Sequence, residues 1–166
     1  MAVTVNIHAT CVRLGKAGAA FGAPPGAGIL LLGSSGSGKS DLALRLIAAG
    51  AELVADDRTD LYLSRGRLHA RAPARIAGLL EVRGVGILAF PHARQVKVAL
   101  VVQLGKAGPR LPRQRRFRAP AALRLPPEAA PPVISLSPVE ASAPATLAAA
   151  AAATALGLYR DDINPI

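Results

Sequence analysis

The chain is poor in the residues that hold many small proteins together. Its 166 residues include one cysteine and no tryptophan, and aromatics make up only 3%. The single thiol, Cys11, excludes an internal disulfide and fits a reducing compartment, the cytoplasm. It reads as a small buried hydrophobe. With so few rings, the core of a 51% apolar chain must rest on Leu, Val and Ile, with alanine filling volume. Acidic residues are also scarce: 10 stand against 20 Lys and Arg, for a net charge of +10. That balance suits an anionic partner such as a nucleotide, a nucleic acid or an acidic protein. No apolar run reaches membrane-spanning length, the nearest being "ATLAAAAAATALGLY", so no membrane association is expected. The opening "MAVTVNIHATCV" alternates like a strand and lacks the basic start and long apolar core of a signal peptide.

What is present has the pattern of one α/β domain, residues 1–166, with a strand-heavy sheet and few helices. Thr4 to Leu14 alternates and is rich in β-branched residues, which predicts a strand. "GKAGAAFGAPPGAG" follows as a connection without periodicity. "ILLLG" predicts a strand buried on both faces, and Lys39–Ala49 a helix stopped by Gly50. "AELVADD" predicts a second buried strand, and "DLYLSRGRLHAR" a hairpin turning at Arg65-Gly66. "LLEVRGVGILAF" is strand-like around a glycine-punctuated loop, and Gln95 to Leu104 is the clearest strand. A basic segment, Gly105 to Pro120, is bounded by Pro and Gly and reads as an exposed, solvated loop. One Phe among its arginines is a thin case for base stacking, so no nucleic-acid partner is expected. A short strand "PVISLSP" and a helix from Ala145 to Leu156 close the chain.

Chemistry concentrates at "GSSGSGKS", which satisfies G-x-x-x-x-G-K-[ST] between a predicted strand and a predicted helix, the context that motif requires. Gly33, Gly36 and Gly38 let the backbone take positive φ, so that the amides of Gly33, Ser34, Ser35, Gly36, Ser37 and Gly38 turn toward one anion. The helix N-terminus adds partial positive charge. Lys39 can bridge the β- and γ-phosphates of ATP, and Ser40 can ligate Mg²⁺. Asp56 and Asp57 end the next strand. At the C-terminal edge of a parallel sheet they lie beside the phosphate loop, one at the metal and the other as proton acceptor. A solvated strand end is the alternative reading of the pair. "EVRGVG" places Glu81 and Arg83 two apart on a strand, suiting a further metal ligand and a charge stabiliser, though such pairs are also ordinary on surfaces. His8, a lone strand histidine, ordinarily has a structural hydrogen-bonding role. The chain lacks an NKxD-type stretch, an LSGGQ-like signature and an arginine-rich lid, which argues against a GTPase, a transporter ATPase and a nucleoside monophosphate kinase.

"GSSGSGKSDLALRLIAAGAELVADD" and "GLLEVRGVGIL", in this order and spacing, resemble the catalytic domain of bacterial HPr kinase/phosphorylase over roughly Asn6 to Leu104. The resemblance implies a P-loop sheet related to phosphoenolpyruvate carboxykinase. It also implies ATP- and Mg²⁺-dependent phosphorylation of a serine on HPr, a small carrier of the sugar phosphotransferase system. In that light Lys39 contacts nucleotide phosphates, Ser40 and Glu81 are metal ligands with Asp56 beside them, Asp57 accepts the serine proton, and His8 matches an active-site histidine. A ring of six subunits is implied as well. The chain starts at the catalytic domain's first strand, as in short alphaproteobacterial forms without the N-terminal domain. "LSPVEASAPATL", Leu136 to Leu147, stands where bifunctional members carry a basic loop. It has no Lys or Arg, so phosphorylase activity is expected to be weak. Two alternatives remain open: a small-molecule or pyrophosphate-handling enzyme using the same site, and a nucleotide-sensing regulatory module with little catalysis.

Overall fold

The single strand predicted for Thr4 to Leu14 is two strands, β1 (Thr4–His8) and β2 (Thr10–Arg13), separated by Ala9. The computed structural model describes residues 2–160. The connection that follows is not irregular throughout, because Gly15–Phe21 winds as a 3₁₀ segment ended by Gly22 at φ 72°. Next come β3 (Ala27–Leu32), helix α1 (Lys39–Ala48) and β4 (Glu52–Ala55). β5 (Arg58–Ser64) and β6 (Arg67–Arg71) form the expected hairpin. Arg65 and Gly66 both take positive φ, the conformation that matches strand twist in a two-residue turn. β7 (Leu79–Val82) and β8 (Gly86–Ala89) pair only with each other. β9 (Val96–Leu104), β10 (Arg115–Arg116), β11 (Pro132–Leu136) and α2 (Ala143–Leu156) complete the chain. α2 starts two residues before the predicted point. Pro144 sits in its first turn, where its missing N–H costs nothing.

The sheet is mixed rather than parallel. β3 runs parallel to β9, and β9 parallel to β11, but β2 lies antiparallel between β3 and β4. β3, β4, β9 and β11 therefore all end on one edge, which is where the loops after them gather. The outer strands β1, β5 and β6 continue the sheet beyond β9. The predicted basic loop is exposed, but it contains β10, which adds a short antiparallel partner to β11.

Alternating side chains divide the core in two, as a pleated strand requires. Val12, Ile29, Leu31, Leu100 and Val102 pack on one face with Leu42 and Leu46 of α1 and Leu147 of α2. Cys11, Leu30 and Val101 pack on the other with Leu61, Leu68 and Ala70 of the β5–β6 hairpin. The sheet thus folds over itself on one side and is covered by helices on the other. No aromatic side chain belongs to the fully buried set, so leucine carries most of that volume. Each of these leucines contributes roughly 1.5–3 kcal/mol when fully buried.

Candidate active site

The loop after β3 turns sharply into α1. Gly36 and Gly38 stand at φ 79° and 93°, as predicted, but Gly33 is not in the left-handed region. Glycine is required there by contact instead: a Cβ at Gly33 would lie 2.3 Å from Ser37 Oγ. Gly38 precedes the helix without any side-chain cap, leaving the first amides of α1 free to face the cleft. Lys39 folds back across the loop and donates to the carbonyls of Gly33 (2.8 Å) and Ser34 (3.0 Å). Burial pulls its ammonium below the ordinary lysine range, while the charges of Asp57 and Asp56 oppose that shift.

β4 ends at Ala55, so neither aspartate is a strand residue. Asp56 is buried and accepts from three directions. Ser40 Oγ donates to its Oδ1 at 2.7 Å, Thr10 Oγ1 to the same atom at 2.9 Å, and the Glu81 amide to Oδ2 at 3.3 Å. Asp57 takes φ 63°, uncommon for a residue with a Cβ, and this turn aims its side chain into the cleft. Its Oδ1 stands 3.1 Å from Nε2 of His8. His8 arrives there because β1 pairs with β5 in the register His8–Arg58. Both carboxylates, expected beside the phosphate loop, line one space.

That space is a cleft of about 470 Å³ lined by His8, Lys39, Ser40, Asp56, Asp57, Glu81 and Arg83, with Ser35, Gly36 and Gly38 along the phosphate loop. Arg83 lies past the end of β7, in the turn marked by Gly84 at φ 80°, and not on a strand with Glu81 as the spacing suggests. Glu81 lines the cleft, but its hydrogen bond to Asp56 comes from its backbone. Among the described residues, no three His, Cys, Asp or Glu side chains converge to hold a metal unaided. The donor set fits Mg²⁺ bound jointly with a phosphate ligand, since that ion is ordinarily held by one or two carboxylates plus phosphate oxygens and water. Ser40 Oγ and Asp56 Oδ1 are the adjacent oxygens for it. The loop fits a phosphate: Ser35, Gly36 and Gly38 line the cleft, and nothing stands within 4 Å of where a Cβ on Gly36 would lie; Gly33, Ser34 and Ser37 do not line it, and the Ser37 amide donates to the Ser34 carbonyl instead.

Thr10 was not legible as a site residue. It is fully buried and two positions beyond His8, and no motif marks a threonine that bonds a carboxylate 46 residues away. Arg45 is a second such residue. It pairs with Asp41 at 3.1 Å, an i,i+4 spacing visible in sequence, and also donates to the carbonyls of Pro138 and Glu140. This holds the segment after β11 against the phosphate loop, where Pro138 Cγ comes within 3.3 Å of a Cβ placed on Gly38.

The solved structure of the Hpr(Ser) kinase/phosphatase from Coxiella burnetii shares this fold, with a TM-score of 0.71 over 93% of this chain and 98% of that one, at 23% identity. Sequence likeness lies in the part that builds the cleft. The HPr kinase/phosphorylase of Clostridium tetani is 50% identical over 66 residues, 40% of this chain. That of Brevibacillus brevis is 50% identical over 87 residues, 48% of this chain. The matched regions span only 22% and 28% of those two proteins. The family model of the HPr Serine kinase C-terminal domain matches residues 23–108, just over half of the chain, and the chain belongs to that family.

Proposed function

We propose that the chain is a cytoplasmic, ATP-dependent protein kinase that phosphorylates a serine of an HPr-like phosphocarrier protein. The observation that carries this reading is the meeting, in one cleft, of a phosphate loop ending in Lys39 and Ser40 with the Asp57–His8 pair. A phosphate donor held by the loop leaves that pair to meet an acceptor hydroxyl. Asp57 takes the serine proton as the oxygen attacks, and His8 orients the carboxylate that receives it. Lys39 exchanges its two carbonyl partners for phosphate oxygens and offsets the charge that spreads over them. Ser40 and Asp56 would hold Mg²⁺, which would supply further neutralisation of the phosphate oxygens. Glu81 would be a further metal ligand, and Arg83 a charge stabiliser. A nucleotide sensor without catalysis has no use for an acceptor-side carboxylate in a strained turn, which favours the enzyme. The relation to phosphoenolpyruvate carboxykinase, the single catalytic domain and a ring of six subunits are parts of the same reading. Exposed Val85, Ile87 and Leu88 on and beside β8 offer an apolar surface for such self-association.

The reverse reaction, phosphate attack on phosphoserine, is weak in this reading. The segment after β11 contributes no cation of its own, and the guanidinium nearest it, Arg45, is committed to two carbonyls and Asp41. The experiment is transfer of label from ATP to a purified HPr-like protein and to its Ser→Ala variant. Transfer to the first alone supports the assignment, and transfer to neither or to both overturns it. Adding millimolar phosphate to the phosphorylated partner tests the reverse step. Pyrophosphate release as fast as the forward reaction would contradict this part of the reading.

A further inference from the structure

A second concave surface lies outside the residues that the family model matches. It is a groove of about 910 Å³, larger than the catalytic cleft, with Arg115, Arg116, Arg118 and Arg124 around it and Phe117, Leu125 and Val133 beneath. Two of the guanidiniums are held in place, Arg115 by donating to Ser135 Oγ (2.8 Å) and Arg116 to the carbonyl of Ala130 (2.9 Å). Among the described residues, none of the four arginines forms an ion pair with a carboxylate. Glu128, the nearest acidic residue in sequence, lines an adjoining hollow together with Arg67, Lys97 and Arg116, but forms no ion pair with them, and Arg115, Arg118 and Arg124 do not line that hollow. Fixed cations crowded without counter-charge cost stability through mutual repulsion, so an anionic occupant relieves them. The wall at Ala121–Leu123 packs against β1, the strand that ends at His8. The groove and the cleft thus border the same five-residue strand, β1.

We propose that this groove docks an acidic, partly apolar stretch of the protein that the cleft phosphorylates; its occupant's being the substrate rests on the kinase reading above. An extended peptide alternates its side chains, so one set reaches the apolar floor while the carboxylates meet the arginine rim. A nucleic acid fits less well. It has no apolar side chains for the floor, and the groove offers a single half-buried ring, Phe117, where a strand of bases needs several to stack on.

The test uses the full chain and a short fluorescein-labelled peptide alternating Glu and Leu, read by anisotropy, with a labelled single-stranded oligodeoxythymidine as comparison. The peptide should bind, and its affinity should fall as salt rises toward physiological strength. The variant Arg115→Glu/Arg118→Glu should weaken it about tenfold or more, whereas Arg115→Lys/Arg118→Lys should retain it. Both positions are exposed, and circular dichroism checks that the fold is kept. No peptide binding, binding unchanged by the charge reversal, or preference for the oligonucleotide would each overturn the proposal. In the transfer assay, the charge reversal should raise KM for the protein acceptor and leave kcat and KM for ATP unchanged. Unchanged acceptor KM would overturn the assignment of the occupant as substrate. Peptide binding without any phosphoryl transfer would leave the groove standing and remove the kinase reading instead.

Discussion

Asp57 has a backbone cost in the structure and a proton-acceptor role in the kinase reading proposed above, and a short substitution series separates the two. Its φ of 63° is left-handed, a conformation that costs a residue with a Cβ about 1–2 kcal/mol and Asp or Asn somewhat less. Its pairing with His8 is largely open to solvent and returns no more than about 1 kcal/mol. At an ordinary position Gly is less stable than Ala by about 0.4–1 kcal/mol, because glycine gives the unfolded chain more freedom. At Asp57 the sign should reverse. Asp57→Ala keeps the left-handed turn with none of the local compensation of Asp, whereas Asp57→Gly relieves it. The difference favours Gly by roughly 1 kcal/mol. Asp57→Asn keeps both shape and tolerance of the turn, and should fall within about 1 kcal/mol of the parent. None of the three accepts the serine proton, so all should lose about 10²–10⁴-fold in transfer rate with modest change in nucleotide affinity. Urea unfolding measures the stabilities and labelled-ATP transfer the rates. An Ala variant as stable as the Gly variant would refute the strain argument. An Asn variant with parental turnover would refute the proton-acceptor role, and collapse of ATP binding with normal turnover of bound complexes would make Asp57 a metal or structural residue.

Lys39→Ala should abolish transfer while circular dichroism and the melting curve stay close to the parent's, since the loop's turn is made by Gly36 and Gly38; undiminished turnover counts against the site. Thr10→Val keeps the side chain's shape but removes one donor to Asp56. It should cost about 1 kcal/mol in urea unfolding and raise the Mg²⁺ concentration needed for half-maximal rate, and unchanged Mg²⁺ dependence would assign Thr10 to the fold alone. Cys11 is fully buried, and burial pushes its thiol far up. One equivalent should therefore react with a disulfide reagent at mildly alkaline pH only after denaturation, and rapid reaction of the native chain would contradict the packing of β2.

Sequence made the phosphate loop and its flanks legible because the constraint there is local: glycine spacing, a strand before it, a helix after it. The β5–β6 hairpin was legible for the same reason, through Arg65-Gly66. What sequence missed depends on pairing between distant segments. Nothing in Thr4 to Leu14 shows that Ala9 breaks the strand, since the break exists only because β1 and β2 join different neighbours. The antiparallel place of β2 between β3 and β4 is equally non-local, and so the sheet was expected to be parallel. Thr10 and Arg45 went unseen because their partners, Asp56 and the carbonyls of Pro138 and Glu140, are remote in sequence. Arg83 was placed on a strand because Glu81-Val82-Arg83 reads as extended, whereas β7 stops at Val82 and the glycines turn the chain there.

The break at Ala9 means that the two carboxylates cannot be assembled independently. Ala9 donates its amide to the carbonyl of Asp57, and its own carbonyl accepts from Thr59 Oγ1. On one side of it His8 reaches Asp57, and on the other Thr10 reaches Asp56. The N-terminal strands and the segment near residue 57 thus close over one another like a buckle with a single pin. Loosening Ala9 would therefore take His8 from Asp57 and Thr10 from Asp56 together, while the glycine turn before α1, which bonds to neither strand end, would stay in place.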